Sequence, residues 1–278
     1  QGTADAVRRN LKTISQWQTD HVVILPGDAI FRMDLSEILA MHIEKQADVT
    51  IALHPTDAAR ASSFGILTID GQDRVLAMRE KPKTAEHLDG LMCDTRIRSK
   101  WRMEKGRPYL ASMGIYIVQR QVLREILEDK TLTDFGNHVL PRALRERKVY
   151  GYVFTDFWED IGTIRSFYEI NLALAKPDPP FVFYYPGAPI FTRRRLLPAT
   201  RVTRARLTDT VVSEGCRIEE AELEGCMVGL RSVIGRGVRM RDTVMMGGDY
   251  FEYGKVRAGY EDVPPDAPLM GVGDGCVI

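Results

Sequence analysis

Between Val202 and Met245 the aliphatic side chains keep a beat that few folds can absorb. They fall at Val202, Leu207, Val212, Ile218, Leu223, Val228, Ile234, Met240 and Met245, always five or six residues apart. Three places recur every 16 or 17 residues: Val202, Ile218, Ile234; Leu207, Leu223, Met240; Val212, Val228, Met245. One inward residue per short strand and three strands per coil is the arithmetic of a β-helix solenoid, in which each coil stacks on its neighbour. An ordinary sheet, with side chains alternating at a period of two, has no reason to hold that spacing. The beat breaks from Gly247 to Leu269 and restarts near Val272 before the chain stops at Ile278. A solenoid that stops there is expected to leave its last coil uncapped.

The residues before the solenoid have a different texture. Val7, Leu11, Ile14 and Trp17 mark one face of a helix, with Thr3 as its N-cap and Asp5 in its first turn. Val22 to Leu25 is a continuous apolar run ended by Pro26-Gly27, which predicts a strand buried on both faces of a parallel sheet. Further strands are predicted at Val49–Leu53, Phe64–Ile69, Arg74–Arg79, Tyr109–Val118 and Val149–Phe154. Helical stripes lie at Val122, Leu123, Ile126, Leu127 and at Ile164, Phe167, Ile170, Leu172, Leu174. This alternation predicts an α/β sandwich with a mostly parallel sheet, a partial Rossmann-like domain over residues 1–176. Residues 83–107 are charged and irregular and read as a mobile insertion. Residues 177–200 hold six prolines and read as a stiff linker, after which the β-helix runs over 201–278.

Polar residues stand at the ends of several strand-like runs, where the loops of an α/β sheet carry ligands. Glu80-Lys81 ends the run from Arg74, with Pro82 stopping the ladder because it has no N–H. Ser112 and Gly114 interrupt the run from Tyr109, and Trp158-Glu159-Asp160-Ile161-Gly162 follows the run from Val149. Together they read as one sugar-phosphate pocket, with the lysine for a phosphate and the glutamate for hydroxyls. Asp28 lies just past Val22–Leu25, placed for metal or phosphate chemistry, while Asp34 and Ser36 are better placed to cap the following helix. Gly65 would let a ligand approach the backbone. The linker triplet Arg193-Arg194-Arg195 could receive an anionic effector.

Bulk numbers narrow the partners. Lys plus Arg equals Asp plus Glu at 38 each, so no global field favours nucleic acid or an anionic membrane. Cys93, Cys216, Cys226 and Cys276 have no metal-ligand spacing and read as reduced cysteines. No apolar run approaches the length of about 18 residues that predicts a membrane-spanning helix.

Taken in order, Gly2-Thr3-Ala4-Asp5-Ala6, Leu25-Pro26-Gly27-Asp28, Phe64-Gly65, Glu80-Lys81-Pro82, Ala111-Ser112-Met113-Gly114-Ile115-Tyr116, Trp158 to Gly162 and Asp242-Thr243-Val244-Met245-Met246-Gly247 resemble the glucose-1-phosphate adenylyltransferases, the ADP-glucose pyrophosphorylases of glycogen and starch synthesis. The Asp242–Gly247 stretch and the Pro-rich linker resemble the cyanobacterial and plant type. The resemblance implies a nucleotidyltransferase domain followed by a left-handed β-helix, assembled as a homo- or hetero-tetramer and answering to a small-molecule effector, with Arg195 as an effector candidate. It implies ATP and glucose 1-phosphate as substrates, and ADP-glucose and pyrophosphate as products. Carried over, Gly65, Glu80, Lys81 and Ser112 contact glucose 1-phosphate, with Lys81 on its phosphate. Asp28 and Asp160 hold Mg2+, so that Asp28, Asp160 and Lys81 form the catalytic set. A cytoplasmic location is implied, or a plastid if a transit peptide lies upstream.

The departures from the family pattern also carry expectations. The family's glycine-rich, arginine-containing triphosphate loop and its C-terminal coils have no counterpart here, and Ala29-Ile30-Phe31 stands where the family has His-Leu-Tyr. The chain as written is therefore expected to be a catalytically inactive fragment, truncated at both ends. Guanylyl- or uridylyltransferases and a non-catalytic regulatory subunit of the same family are the rival readings. A solenoid acyltransferase is disfavoured, because no histidine lies between Val202 and Met245 to act as base.

Overall fold

In the computed structural model the chain divides into two compact units, Gln1–Glu159 and Asp160–Ile278. The structure describes residues 2–193, 195–248, 251–253, 256–257 and 271–278. The first unit opens with α1 (Thr3–Arg9) and α2 (Leu11–Gln16) in place of one long helix. The break is at Asn10, whose backbone leaves the helical region (φ −97°, ψ 0°) while its side chain donates to the Ala6 carbonyl. Gly2, not Thr3, is the N-cap of α1, and no side chain caps that end.

Then follow β1 (His21–Ile24), β2 (Ala29–Phe31), α3 (Leu35–Glu44), β3 (Val49–Thr56), α4 (Ala58–Ala61), β4 (Gly65–Ile69) and β5 (Val75–Glu80). After these come α5 (Ala85–Leu88), α6 (Thr95–Lys100), β6 (Tyr109–Gln119), α7 (Arg120–Glu128), a π-helix (Phe135–Val139), α8 (Leu140–Glu146), β7 (Val149–Val153) and β8 (Trp158–Asp160). Asp34 caps α3, accepting from the Ser36 N–H at 2.9 Å, as its position relative to Ser36 suggests.

The main sheet has the order β5-β4-β6-β3-β7, and β1 shares with β4 the use of β6 as partner. It is mixed, not mostly parallel: among the described residues β3 and β7 run parallel, whereas β1–β6, β3–β6, β4–β5 and β4–β6 are antiparallel. The run from Val22 to Leu25 is correspondingly not doubly buried, since Val23 is 41% and Leu25 48% exposed. Four apolar residues fit an edge strand as well as a central one, and periodicity cannot separate the two.

Layers cover both faces of the sheet. On one face Ile51, Leu53, Leu67 and Leu110 pack with Val122, Leu123, Ile126 and Leu127 of α7 and Leu140 of α8. On the other, Ala52, Ile66, Ile115 and Ile117 pack with Ile38 of α3 and with Phe64 and Trp158. All four residues of the predicted α7 stripe are buried, which is what anchors that helix. The stretch 83–107 is pinned at its far end: Lys100 Nζ and Trp101 Nε1 donate to the buried Asp73 carboxylate at 2.6 and 3.0 Å.

In the second unit α9 (Ile164–Leu174) starts with a capping box between Thr163 and Ser166, and no helix or strand occurs among the described residues of 177–200. The coils then run through β9 (Arg201–Thr203), β10 (Arg206–Thr208), β11 (Val211–Val212), β12 (Arg217–Glu219), β13 (Glu222–Glu224), β14 (Met227–Val228), β15 (Val233–Ile234), β16 (Arg239–Arg241) and β17 (Val244–Met245). A pair, β18 (Glu252–Tyr253) with β19 (Val256–Arg257), precedes β20 (Gly271–Val272).

Three parallel sheets form the walls, and their registers are the beat of the sequence. Val202, Ile218, Ile234 and Val272 stack in one column, Leu207, Leu223 and Met240 in the second, Val212, Val228 and Met245 in the third. The restart at Val272 is thus real, because β20 pairs directly with β15. Ile218, Leu223, Val228, Ile234 and Met240 are buried, with Cys216 and Cys226 filling the corners.

Candidate functional site

The β4–β5 hairpin sets the first two residues of the site. Gly65 pairs with Glu80 across it, and the Glu80 carboxylate folds back over the glycine: a Cβ at Gly65 would lie 2.6 Å from Oε2. Gly136 of the π-helix approaches from the other side, where a Cβ would lie 2.7 Å from the same oxygen. Two glycines therefore bracket one carboxylate, and any side chain at either would have to displace it.

Burial is the main reason that the Glu80 carboxyl titrates above its ordinary range; Lys81 pulls it down and Asp134 pushes it further up. The sign for stability follows. With a raised pKa in the folded state, the folded form holds the proton more tightly, so stability falls as pH rises through the window above 4.5. Glu80→Gln is expected to remove that fall, so the stability gap between variant and wild type in urea titrations should widen from pH 4 to 7. A gap that stays constant would show that Glu80 is solvated.

Lys81 follows at the strand end, exposed, with a left-handed backbone (φ 44°) and its N–H donating to the Phe64 carbonyl at 3.0 Å. A lysine in that region costs about 1–2 kcal/mol relative to an extended one. The bend turns the chain out of the hairpin, and the next residue, Pro82, is buried.

Strand β6 supplies Ser112 through a bulge. Its register with β3 jumps from Ile51–Tyr116 to Leu53–Ser112, so Met113, Gly114 and Ile115 oppose Ala52 alone. Gly114 takes the positive φ (72°) the bulge needs, and its N–H donates to Ser112 Oγ at 3.3 Å. Because Ile66 pairs with Ala111, Ser112 lies one step along toward Gly65, and Ser112, Gly65 and Glu80 fall on one row across the sheet.

Asp28 sits exposed in the bend between β1 and β2. Two residues before it, Pro26 lies against Gly114, where a Cβ would meet it at 3.6 Å, so this loop borders the Ser112 bulge.

Tyr116, Phe135 and Asp134 border this row. Tyr116 is buried, which pushes its hydroxyl up to about 12; Ser112 hydrogen-bonds it, and Glu80 and Asp134 raise it further. Its ring stacks on Phe135 with centroids 5.3 Å apart. Burial acts against the Asp134 charge, but the Asn137 N–H, the Thr3 hydroxyl and the Asn137 side chain hold it below the ordinary value.

Here the Gly2-Thr3-Ala4 motif finds its use: Thr3 Oγ1 donates to Asp134 Oδ2 at 3.1 Å and accepts from the Phe135 N–H at 2.9 Å, while Ala4 N–H bonds the Thr133 carbonyl. A sequence signal for this wall existed in Thr133-Asp134-Phe135-Gly136, a cap residue and a glycine entering a helix.

Beside the hairpin, Trp158 packs on Phe64 and His54 at centroid distances of 5.1 and 5.4 Å, and its buried Nε1 has no hydrogen-bond partner. Asp160 belongs to the second unit, where its Oδ1 accepts from the Gly162 N–H at 2.8 Å. Arg195, also in that unit, is exposed and donates to the Arg193 carbonyl, bordering a concavity with Leu197, Glu214 and Leu230. Among the described residues no three His, Cys, Asp or Glu side chains gather as a metal cluster. The arrangement in the first unit can do one thing well: accept from hydroxyls at a desolvated carboxylate while a lysine beside it meets an anion.

Residues 1–177 match the family model described as nucleotidyl transferase, and residues 195–278 match that of the GLGC left-handed parallel beta-helix domain.

Proposed function

Because the chain belongs to the nucleotidyl transferase family and joins that domain to a GLGC β-helix, the architecture of the glucose-1-phosphate adenylyltransferases, we propose that its sheet edge binds glucose 1-phosphate for attack on ATP. Membership implies nucleotide and sugar-phosphate substrates and an oligomeric assembly; the particular substrates, and a tetramer answering to a small effector, are our reading. The row Glu80–Gly65–Ser112, with Lys81 at its end, carries it. Glu80 accepts from sugar hydroxyls, Ser112 donates or accepts beside it, the bare Gly65 backbone allows close approach, and Lys81 meets the phosphate. The domain limits that go with this reading are 1–176, a linker over 177–200, and the β-helix from 201.

In the reaction a phosphate oxygen of the sugar attacks the α-phosphorus in line and pyrophosphate leaves, with no covalent enzyme intermediate. The protein's part is positioning and charge neutralisation. Nucleotidyl transferases typically use Mg2+, which takes one or two carboxylates and leaves the rest to water and substrate phosphates; Asp28 is exposed and Asp160 partly so. Asp28 and Asp160 are assigned to it on that donor chemistry. When bound, Mg2+ would neutralise charge on the phosphates.

In the full-length enzyme, Asp28→Asn is expected to lower kcat for ADP-glucose synthesis about 10²–10³-fold, the range for removing one group that stabilises transition-state charge, with KM for glucose 1-phosphate little changed. Initial rates against both substrates and Mg2+ measure it. An unchanged kcat would remove Asp28 from the catalytic set. For the substrate itself, calorimetry with glucose 1-phosphate, mannose 1-phosphate and N-acetylglucosamine 1-phosphate should show the first binding tightest. Preference for either of the others would move the reading to a different sugar-nucleotide transferase.

A further inference from the structure

Two histidines outside the substrate pocket stand in an arrangement that the proposed reaction does not use. His21 opens β1, and His42 lies in the last turn of α3. Their ring centroids are 5.0 Å apart and their planes meet at 85°. His42 is 1% exposed, and His21 is partly open to solvent. Each ring keeps one buried nitrogen with no hydrogen-bond partner, Nδ1 of His21 and Nε2 of His42.

The other nitrogen of His42 is engaged: Nδ1 lies 2.8 Å from Thr50 Oγ1 in β3. A buried polar atom without a partner costs about 1–3 kcal/mol, so two in adjacent rings call for an explanation.

We infer that His21 and His42 form a two-imidazole site for a divalent late transition metal ion, of which zinc is the probe. The spacing fits. Two imidazoles on one tetrahedral ion, with metal–nitrogen bonds of about 2.0–2.1 Å, bring their ring centroids about 5 Å apart. So does the orientation of His42. In the tautomer whose Nδ1–H donates to Thr50 Oγ1, Nε2 carries a bare lone pair, and a ligating histidine ordinarily gives its other N–H to a fixed oxygen in this way.

A histidine ligates through its neutral imidazole, so uptake should be pH-dependent and release protons. The neighbouring Asp48 carboxylate is taken by the Lys148 N–H at 2.8 Å. The partly open His21 gives the ion an entry path. With two protein ligands the remaining positions belong to water, so the site is one of moderate affinity, tighter for copper than for zinc by the usual order.

The 278-residue chain, stripped with a chelator and titrated with zinc chloride against a chromogenic zinc chelator, should take up one equivalent with a micromolar Kd. His21→Gln and His42→Gln should each weaken uptake at least about tenfold, the scale on which even outer-shell changes act. His54→Gln should leave it unchanged. In 15N spectra of the histidine rings, zinc should shift His21 and His42 alone. Should His42→Gln fail to fold, the partly exposed His21→Gln and the spectra still decide. Uptake by the wild type no greater than by His21→Gln, or zinc-induced shifts confined to other histidines, would overturn the site and leave a neutral edge-to-face pair.

Discussion

Replacing Lys81 by alanine should weaken binding of glucose 1-phosphate about 10- to 150-fold, the range of roughly 1.5–3 kcal/mol for a hydrogen bond to a charged group. The contact is made in the ground state, so the loss should appear in the calorimetric Kd and, in the full-length enzyme, in KM, with kcat moving less. Lys81 is exposed, and among the described residues its side chain makes no hydrogen bond or ion pair that the change would break, so the fold should survive.

The backbone supplies an internal control. Lys81 sits at φ 44°, where glycine is relaxed and alanine is not. Lys81→Gly should lose the sugar phosphate as Lys81→Ala does, yet unfold at a higher urea concentration, by about 1 kcal/mol of stability. Calorimetry on both variants, with urea melts alongside, separates charge from conformation. Equal affinity for glucose 1-phosphate before and after Lys81→Ala would remove the lysine from the phosphate.

Acid should unfold the first unit well before its surface carboxylates are exhausted. His42 and His54 are 1% and 6% exposed, and burial is the first cause holding each at about 4, below the ordinary 6.5. For His54 the Phe154 carbonyl pulls the other way, Arg107 and Arg60 add to the depression, and Glu104 opposes it. A depressed pKa means that the unfolded chain binds the proton first. Stability is therefore complete above pH 6.5 and is lost as pH falls toward 4.

At about 1.36 kcal/mol per unit each histidine costs on the order of 3 kcal/mol over that window, and both together approach the 5–15 kcal/mol of a whole domain. Glu80, with its raised pKa, acts in the opposite sense but is one group against two. Urea midpoints at half-unit steps from pH 7 to 4 should fall steeply in the wild type and less in His54→Gln. Parallel slopes for the two proteins would show that His54 stays solvated or finds a partner when charged.

From Val202 to Met245 the solenoid is readable from its residues alone because each inward side chain there answers to counterparts one coil away, 16 or 17 residues along. Nothing distant competes for Ile218 or Leu223. The sheet was readable as elements but not as pairings: an apolar run such as Val22–Leu25 records burial, not the direction of its neighbour. Thr3 shows the same limit more sharply. As a hydroxyl before an amphipathic run it looks like a cap, yet its bonds go to Asp134 and Phe135, more than a hundred residues away.

Within the site, Glu80, Ser112 and Gly65 stood out as polar or bare positions at strand ends. Tyr116 did not, because an aromatic residue in the run from Tyr109 to Val118 reads as core. Asp134 caps, and Gly136 lies in, a π-helix, whose five-residue hydrogen-bond step leaves no periodic trace in so short a segment.

The pairing pattern of β6 governs the order in which the first unit can be made on a ribosome. Among the described residues β1 pairs only with β6, while β3 waits for β6 or β7, all of which lie beyond residue 108. At synthesis rates of about 5–20 residues per second, the interval between completing β4 and completing β6 is roughly 2–10 s. During it the β4–β5 hairpin is the one pairing available to those strands, and β1, β3 and the outer edge of β4 stay open to other chains. Contacts so far apart in sequence also close slowly in free solution. The coils from Arg201 to Met245 face no such wait, since each new one lands on the one just finished. Refolding from denaturant should therefore be limited by residues 109–119, and a pause in translation between Glu80 and Tyr109 should raise the aggregated fraction more than one placed after Val153.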